Sequence, residues 1–529
     1  MLALGFAALL LASPQAPDWP QTRAERTNYT ETSHYEDVVA FVKALQAKGA
    51  PVSLQWMGNS AEGRPMPLVI ASRPFMSTPE EARRSGRPII YIEANIHAGE
   101  VEGKEAAQAL LRDWCKQSPS VLDKAVILMT PIYNIDGNEK FGPVERNRPE
   151  QNGPGEVGVR PNGQNYDLNR DCIKAESPEM RGVLEYVWKG WDPDVVLDLH
   201  TTDGTRHGYE LTYSPPLNPN TDPEVMKYAR DELLPQVRAQ LRKQNGIDLF
   251  DYGNVERRGD ERAWYSFEPF GRYVTNYAGL RNRIAILSEA TTFIPFKDRV
   301  LATYEFVQAC VDHVLKNAKR VVAMTRAADE RVISWGTDPS KAPALGVRWD
   351  FDSRGSEDVL LEKLAPGEKR PLTGRPKELA KEKMKIFDRF KPTKTAAFPA
   401  AYLISPAETA TVDLLRRHGI VVEKMLSGWE GEADVFHVTA VNEAAQAFQG
   451  HKLMRVEGGF TRAHARFAQG SYLVRTAQPL GTLAFYILEP ESTDGAAAWG
   501  FFSQPPAANA LYPVVKCPLP PAVPTELVK

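Results

Sequence analysis

Residues 87–100 read RPIIYIEANIHAGE, and this stretch decides the fold class. Its first part is apolar and rich in β-branched residues, which is typical of a strand buried on both faces. Three further runs have the same character, at 125–134, 194–200 and 284–290. Stretches with helical spacing or composition lie around these runs, at 35–46, 102–114, 177–190, 222–244 and 297–318. The alternation predicts an α/β domain with a mixed, mostly parallel sheet flanked by helices.

The chain changes character after about residue 335, and its 529 residues are too many for one ordinary domain. We therefore assign residues 17–335 to a first domain. Residues 336–395 are rich in Pro, Gly, Lys and Glu and predict a connecting region with some strand. The charged stretch KELAKEKMK at 377–385 predicts one helix within that region.

A second, smaller domain is predicted over residues 396–529. The segment 400–425 has the pattern strand, helix, strand, with Gly419 closing the helix. The segment 470–490 then predicts strand-rich structure punctuated by turns. The domain is thus expected to be α/β or β-rich. It contains no cluster of His, Cys or carboxylates at metal spacing, so the sequence assigns it no role.

The N-terminal segment MLALGFAALLLASPQA (1–16) is an apolar run followed by small residues, which is typical of a signal peptide. No Lys or Arg precedes the run, and a buried helix is the alternative. We expect a secreted or periplasmic protein. No later run approaches ~18 consecutive apolar residues, so no membrane span is predicted.

Overall charge excludes some classes of partner. The chain has 64 basic and 67 acidic residues, a net charge of -3, which gives no electrostatic reason to expect nucleic acid or an anionic membrane surface. Four well-separated cysteines form no CxxC pair, which excludes a cysteine-rich zinc module: Cys115, Cys172, Cys310 and Cys517. Disulfides and free buried thiols both remain open for them.

Metal-ligand residue types follow two of the predicted strands. His97 and Glu100 form an H-x-x-E pair directly after the strand at 87–96, and His200 ends the strand DVVLDLH. Ligands bind outside the carboxyl ends of the strands in open α/β sheets, so these residues are placed to meet. Two His and one Glu match a catalytic zinc site, which needs three protein ligands and one open position. We expect one zinc ion per chain.

Glu289 ends the run IAILSE at 284–289, where burying a carboxylate without a partner is costly. Beside a metal site it could act as a general base. The alternative is an ion pair with Arg281 or Arg283.

The segment DLNRD at 167–171 carries polar groups suited to a carboxylate ligand. Arg170 presents a planar fork of donors, and Asn169 adds an amide. Arg148 is a further candidate donor in the preceding stretch. Surface arginines are common, so each alone is weak evidence.

Taken together, five motifs in order resemble those of the zinc carboxypeptidase family of the carboxypeptidase A type: HAGE (97–100), NIDG (134–137), DLNR (167–170), DLH (198–200) and LSEATTF (287–293). Ile135 stands where the family usually has Pro. The resemblance covers about residues 33–320 and implies that family's sheet. The second domain is similar in architecture to the appended region of larger bacterial members.

The resemblance also implies roles. Asp167 would bond the outer nitrogen of His97 and fix its tautomer. Asn169 and Arg170 would hold the substrate's C-terminal carboxylate.

Other implied roles are less specific. Arg148 would stabilise the oxyanion, with Arg146 as a rival. The family's mobile tyrosine would be Tyr277 or Tyr273, and spacing does not choose between them.

The predicted function is therefore a zinc metallocarboxypeptidase acting on peptides with a free C-terminus. A zinc-dependent deacylase or amidase, including one for cell-wall peptides, would share the metal site without needing a terminal carboxylate. A non-catalytic binding module is the third alternative. The Asn169–Arg170 pair favours the carboxypeptidase, because an exopeptidase must bind that carboxylate.

Overall fold

The computed structural model describes residues 19–528, so the predicted signal segment lies outside the described residues. An eight-stranded sheet dominates the first half of the chain. Its spatial order is Val52–Asn59, Pro65–Ala71, Val126–Thr130, Ile89–Ala94, Val195–Thr201, Ile284–Ala290, Leu211–Ser214 and Leu249–Asp251. The four middle strands are mutually parallel, whereas antiparallel pairs occur towards both edges. The mixed, mostly parallel sheet expected from the sequence is confirmed.

Helices cover both faces of this sheet. The principal ones are Tyr35–Ala47, Glu102–Lys116, Pro178–Val183 with its π-helical continuation Leu184–Trp191, Leu234–Asn245, Val274–Leu280, Phe296–Lys316 and Ala318–Thr337. Alternate residues of the strands point to opposite faces. Ile90 and Ile92 join one core cluster, whereas Tyr91 joins the other.

The core on the Tyr91 side continues into the C-terminal part of the chain. Tyr91 and Val196 from the large sheet share one cluster of buried residues with Tyr402, Leu414 and Tyr486. The two parts therefore bury apolar surface against each other. The predicted domain limits at 335 and 395 stay predictions.

The segment between the two halves consists of strands. Leu345–Asp352 pairs antiparallel with Arg389–Ala396, and Ser356–Glu362 pairs antiparallel with Leu379–Phe387. The helix predicted at 377–385 is therefore wrong. The physical reason is the burial pattern: Met384 and Ile386 are buried while their neighbours face outward, which is the period of a strand.

The hairpin Asn254–Arg258 and Glu261–Tyr265 extends that pairing into a four-stranded sheet. The charged stretch ERRGDER (256–262) belongs to this hairpin. Residues 266–273, which follow it, run past the cavity described below.

The C-terminal part is β-rich, which is one of the two architectures expected from the sequence. Seven strands lie in the order Met454–Phe467, Trp429–Glu443, Val514–Cys517, Ala401–Ile404, Tyr472–Arg475, Glu423–Met425 and Thr525–Leu527. Helix Thr409–Arg417 stands between Ala401–Ile404 and Glu423–Met425, as the pattern predicts.

Only the first part of the stretch 470–490 is strand, because Gly481–Leu488 forms a helix. All eight residues of that helix are buried, and a short, fully apolar run does not distinguish a strand from a buried helix.

All four cysteines are buried and unpaired. Among the described residues, no helix has the length and apolar character needed to cross a membrane.

Candidate active site

Strand register gathers the predicted metal ligands at the carboxyl ends of the central strands of the large sheet. Glu289 is the direct register partner of His200 across two parallel strands. The neighbouring strand Ile89–Ala94 ends three residues before His97, and Asn95, which follows it with a φ of 64°, starts a tight turn. The Asn95 amide donates to the carbonyl of Glu100 at 3.0 Å, which fixes the turn that presents both ligands.

The three residues form a compact buried cluster. One Glu100 oxygen lies 3.0 Å from His97 Nδ1, and the other lies 2.9 Å from His200 Nδ1. The two Nδ1 atoms are 3.2 Å apart. All the ligand atoms lie within 4.8 Å of one another.

The donor chemistry of this cluster fits a cation. The outer His97 nitrogen is hydrogen-bonded to Asp167 at 3.1 Å, whereas the outer His200 nitrogen lies 2.8 Å from Asp198 without forming a hydrogen bond to it. A neutral imidazole that donates outward to a carboxylate presents a bare lone pair at its other nitrogen. The Nδ1 atoms of His97 and His200 and the Glu100 carboxylate converge on one point, an arrangement that a divalent metal ion relieves. His and Glu ligands are those that zinc prefers.

Glu289 lies beside the cluster without a partner. Its side chain borders the cavity, and across residues 19–528 it forms neither a hydrogen bond nor an ion pair. The alternative pairing is not formed, because Arg283 binds Asp192 at 2.6 Å and Arg281 binds the His418 carbonyl at 2.8 Å. Burial raises the pKa of Glu289 well above its ordinary value, because the charged form loses water. A carboxyl group with a raised pKa can both accept and return a proton.

A cavity of about 180 Å³ opens onto Glu289 and the cluster. Six residues predicted from the sequence line it: His97, Glu100, Asn169, Arg170, Tyr273 and Glu289. Eight others were not predicted: Arg160, Thr201, Asp203, Tyr252, Phe267, Glu268, Thr275 and Leu287. Asp203 could have been noticed, because it follows the strand-end His200 by three residues. Tyr252 and Glu268 had no such signal.

The turn at Leu168–Arg170 presents donors to the same cavity. The Asp167 carboxylate accepts from the Asn169 backbone nitrogen at 3.0 Å and so caps the turn. The Asn169 side-chain oxygen accepts from the backbone nitrogen of Val274 at 3.0 Å. The Arg170 guanidinium lies 4.6 Å from the centre of the Tyr273 ring. Stacking and hydrogen bonds thus fix both donors.

Arg148 does not line the cavity. Its guanidinium lies 2.9 Å from Glu100 and donates to the carbonyl of Thr202 at 3.1 Å. Although burial opposes it, His97 and Arg148 hold the pKa of Glu100 well below its ordinary value. Arg148 therefore fixes a predicted ligand, and Arg146, its rival, is exposed.

Arg160 instead borders the cavity. Its Nε donates to Asp167 at 2.9 Å, its Nη1 lies 3.5 Å from Glu100, and its side chain stays 41% exposed beside the opening. Arg160 stands seven residues before Asp167 in the sequence, and no spacing rule distinguished it from the other arginines of that loop.

The two candidate tyrosines have different surroundings. Tyr273 lines the cavity, and its hydroxyl donates to Glu268 at 3.2 Å. Tyr277 is fully buried, with its hydroxyl 2.8 Å from His418 Nδ1, and burial raises its pKa to about 12. The structure thus brings Tyr273 to the site and leaves Tyr277 in the core.

Comparison with known proteins agrees with this geometry. Residues 38–266 match the family model described as zinc carboxypeptidase. Carboxypeptidase 2 of Trichophyton rubrum is 24% identical over 506 residues, which is 91% of this chain and 86% of the relative. Carboxypeptidase 2 of Trichophyton equinum is 24% identical over 482 residues, covering 87% and 81%. Residues 38–266 are thus similar to zinc carboxypeptidases, and the similarity to Carboxypeptidase 2 extends over most of the chain.

Solved structures with partial similarity include two bacterial metallo-carboxypeptidases. The protein from Burkholderia cenocepacia is 15% identical, with a TM-score of 0.40 over 54% of this chain and 70% of the other. The protein from Pseudomonas aeruginosa, in complex with (2-guanidinoethylmercapto)succinic acid, is 17% identical, with a TM-score of 0.39 over 54% and 69%.

The two sequence comparisons differ in reach. The family match ends at residue 266 and so does not include Glu289. The similarity to the Trichophyton rubrum relative covers 91% of this chain and therefore extends into the C-terminal region.

Proposed function

We propose that this protein is a zinc-dependent metallocarboxypeptidase that hydrolyses the C-terminal peptide bond of peptides with a free carboxyl terminus. One observation carries the proposal: two members of a buried His–Glu–His cluster, His97 and Glu100, border one cavity together with an unpaired Glu and an Asn–Arg pair. The match of residues 38–266 to the zinc carboxypeptidase family model and the similarity to Carboxypeptidase 2 support the same reaction. Export to the periplasm or the medium rests on residues 1–16 alone.

His97, Glu100 and His200 would hold one zinc ion per chain. When bound, zinc supplies Lewis-acid chemistry for peptide hydrolysis. The chain's own base is Glu289, whose carboxylate takes a proton from the attacking water. It returns that proton to the leaving amine nitrogen, so that its own protonation state is restored.

Substrate positioning falls to the loop residues. Arg170 and Asn169 would bind the terminal carboxylate, the Arg through a bidentate pair. Arg160 would stabilise the negative charge that develops on the carbonyl oxygen, because its partly exposed guanidinium borders the cavity. Arg148 would keep Glu100 ionised and in place, and Tyr273 would cover the bound residue.

The test measures metal and hydrolysis together. Protein purified without chelator should contain about one zinc per chain, and it should release C-terminal residues from N-blocked dipeptides. Chelator should abolish release, and C-terminal amides should resist. Cleavage of amides as fast as of free acids would instead identify an amidase or deacylase. Metal binding without hydrolysis of either substrate would identify a binding module.

The anchoring role of Arg170 gives a specific prediction. Arg170→Ala should lower kcat/KM on N-blocked dipeptides about 10- to 100-fold, because a hydrogen-bonded charge pair is lost. Arg170→Lys keeps the charge without the planar fork of donors, so its kcat/KM should lie between those of the unsubstituted protein and Arg170→Ala. An equal fractional loss on free-acid substrates and on the residual cleavage of C-terminal amides would contradict the role.

A further inference from the structure

The C-terminal region touches the two loops that border the cavity, at residues 166–176 and 270–281. In the first loop, the Gln449 side-chain oxygen accepts from the Asp167 backbone nitrogen at 2.8 Å. His451 lies 2.9 Å from the Glu176 carboxylate. His418 binds the Ile173 carbonyl at 2.8 Å.

The second loop is held as firmly. The Asp494 carboxylate accepts from the Arg272 backbone nitrogen at 2.7 Å and from its Nε at 2.9 Å. The Gly271 nitrogen donates to the Tyr486 hydroxyl at 3.0 Å. Tyr273, which lines the cavity, follows directly. Residues 396–528 thus hold both walls of the predicted carboxylate site.

Gln449 contacts Asp167, which lies two residues before Asn169 and three before Arg170. It lies at the tip of the hairpin formed by Trp429–Glu443 and Met454–Phe467. Gln449 has a φ of 50° and Gly450 a φ of 85°, as in a tight hairpin turn. Asn, Asp or Gly suit such a position, whereas Gln carries some strain there. The strained residue is the one whose side chain reaches the Asp167 nitrogen.

The tip also fits the loop in shape. A side-chain carbon added at Gly450 would lie 3.2 Å from the Tyr166 hydroxyl, so that only glycine permits this close approach without displacement. Tyr166 directly precedes Asp167. The hairpin tip is therefore seated against the start of the turn that carries Asn169 and Arg170.

The turn Leu168–Arg170 needs such support. It has three residues, and a single short 3₁₀ turn gains little stability from its own hydrogen bonds. The Asp167 carboxylate caps the Asn169 nitrogen and lies against His97, so the position of Asp167 sets that of the turn.

We propose that Gln449 is a positioning residue for the substrate's C-terminal carboxylate, and that residues 396–528 act as part of the active-site scaffold. Gln449 does not line the cavity; it acts through Asp167 on the turn. The proposal rests on the proposed function for its kinetic part.

The first test is kinetic. Gln449→Leu removes the acceptor at similar size and should raise KM for an N-blocked dipeptide about fivefold, the effect of one lost hydrogen bond, with kcat within about twofold. Gln449→Glu keeps an acceptor and should restore most of the affinity. Gln446→Leu is the matched control, because Gln446 is exposed in the same hairpin tip and should leave KM unchanged.

A double mutant separates positioning from a general structural effect. If Gln449 acts through the turn, Gln449→Leu should add little to KM once Arg170→Ala is present. Full additivity of the two effects would overturn the proposal. So would an unchanged KM in Gln449→Leu.

Hydrogen exchange tests the contact without relying on activity. In Gln449→Leu, backbone amides of peptides spanning 164–172 should exchange faster, and in Gln446→Leu they should not. Unchanged exchange would refute the proposal even if the enzyme is a carboxypeptidase. Faster exchange in a protein that releases no C-terminal residue would keep the contact and reject the proposed function.

Discussion

The residues at the strand ends of this site and those in its loops are held in place by different interactions. His97, His200 and Glu289 stand at the ends of parallel strands, where sheet register determines their separation. The loops with Asn169 and Tyr273 depend on residues far along the chain: Gln449 lies 282 positions from the Asp167 nitrogen that it holds. The site residues at the strand ends can therefore be recognised in the sequence, whereas the positions of the loops depend on packing by another part of the molecule.

The largest expected effect on activity comes from substitutions at the strand ends. Glu289→Gln should lower kcat by about 10²-fold or more, because the amide cannot accept a proton. Its zinc content should stay near one per chain, since the three ligands remain. His200→Ala should instead lose the metal. Near-normal turnover in Glu289→Gln, or full zinc occupancy in His200→Ala, would contradict the assignments at the strand ends.

The two arginines sharpen the comparison. Arg160→Ala should lower kcat about 10²-fold, by removing a donor for the oxyanion, with zinc content unchanged. Arg148→Ala should chiefly weaken zinc retention during dialysis, because Glu100 loses the cation at 2.9 Å. The exposed Arg146→Ala is the control for both. A kcat loss in Arg148→Ala at full zinc occupancy would return the oxyanion role to Arg148.

The smallest effect concerns the two tyrosines. Tyr277→Phe should lower the free energy of unfolding by about 1–3 kcal/mol, because His418 Nδ1 loses its buried partner. Its kcat/KM should stay within about twofold. Tyr273→Phe should show the reverse, a several-fold lower kcat/KM with unchanged stability. Denaturant titration and steady-state kinetics measure both quantities; an activity loss confined to Tyr277→Phe would reverse the roles.

These contrasts explain what the sequence could predict. Apolar runs ending in His or Glu predicted the sheet and the cluster of His97, Glu100 and His200, because a buried strand has a local sequence pattern and parallel strands bring their carboxyl ends together. They could not predict the direction of a loop side chain: Arg148 and Arg160 belong to one loop, yet only Arg160 borders the cavity.

The helix prediction at 377–385 was wrong for a related reason. Residues 377–385 have a composition that favours a helix, but Leu379–Phe387 pairs with Ser356–Glu362 as a strand. Tertiary pairing overrides propensity when it buries residues such as Met384 and Ile386.

The core cluster shared by Tyr91, Tyr402 and Tyr486 has a consequence for the architecture as a whole. A chain cut after residue 395 would leave the Tyr91 face of the large sheet open to water and prone to aggregation. The two parts should therefore melt in a single cooperative transition. Because the two parts share this core, the C-terminal region could not easily be gained or lost as an independent module. The hydrolase and its second region are therefore expected to be inherited together.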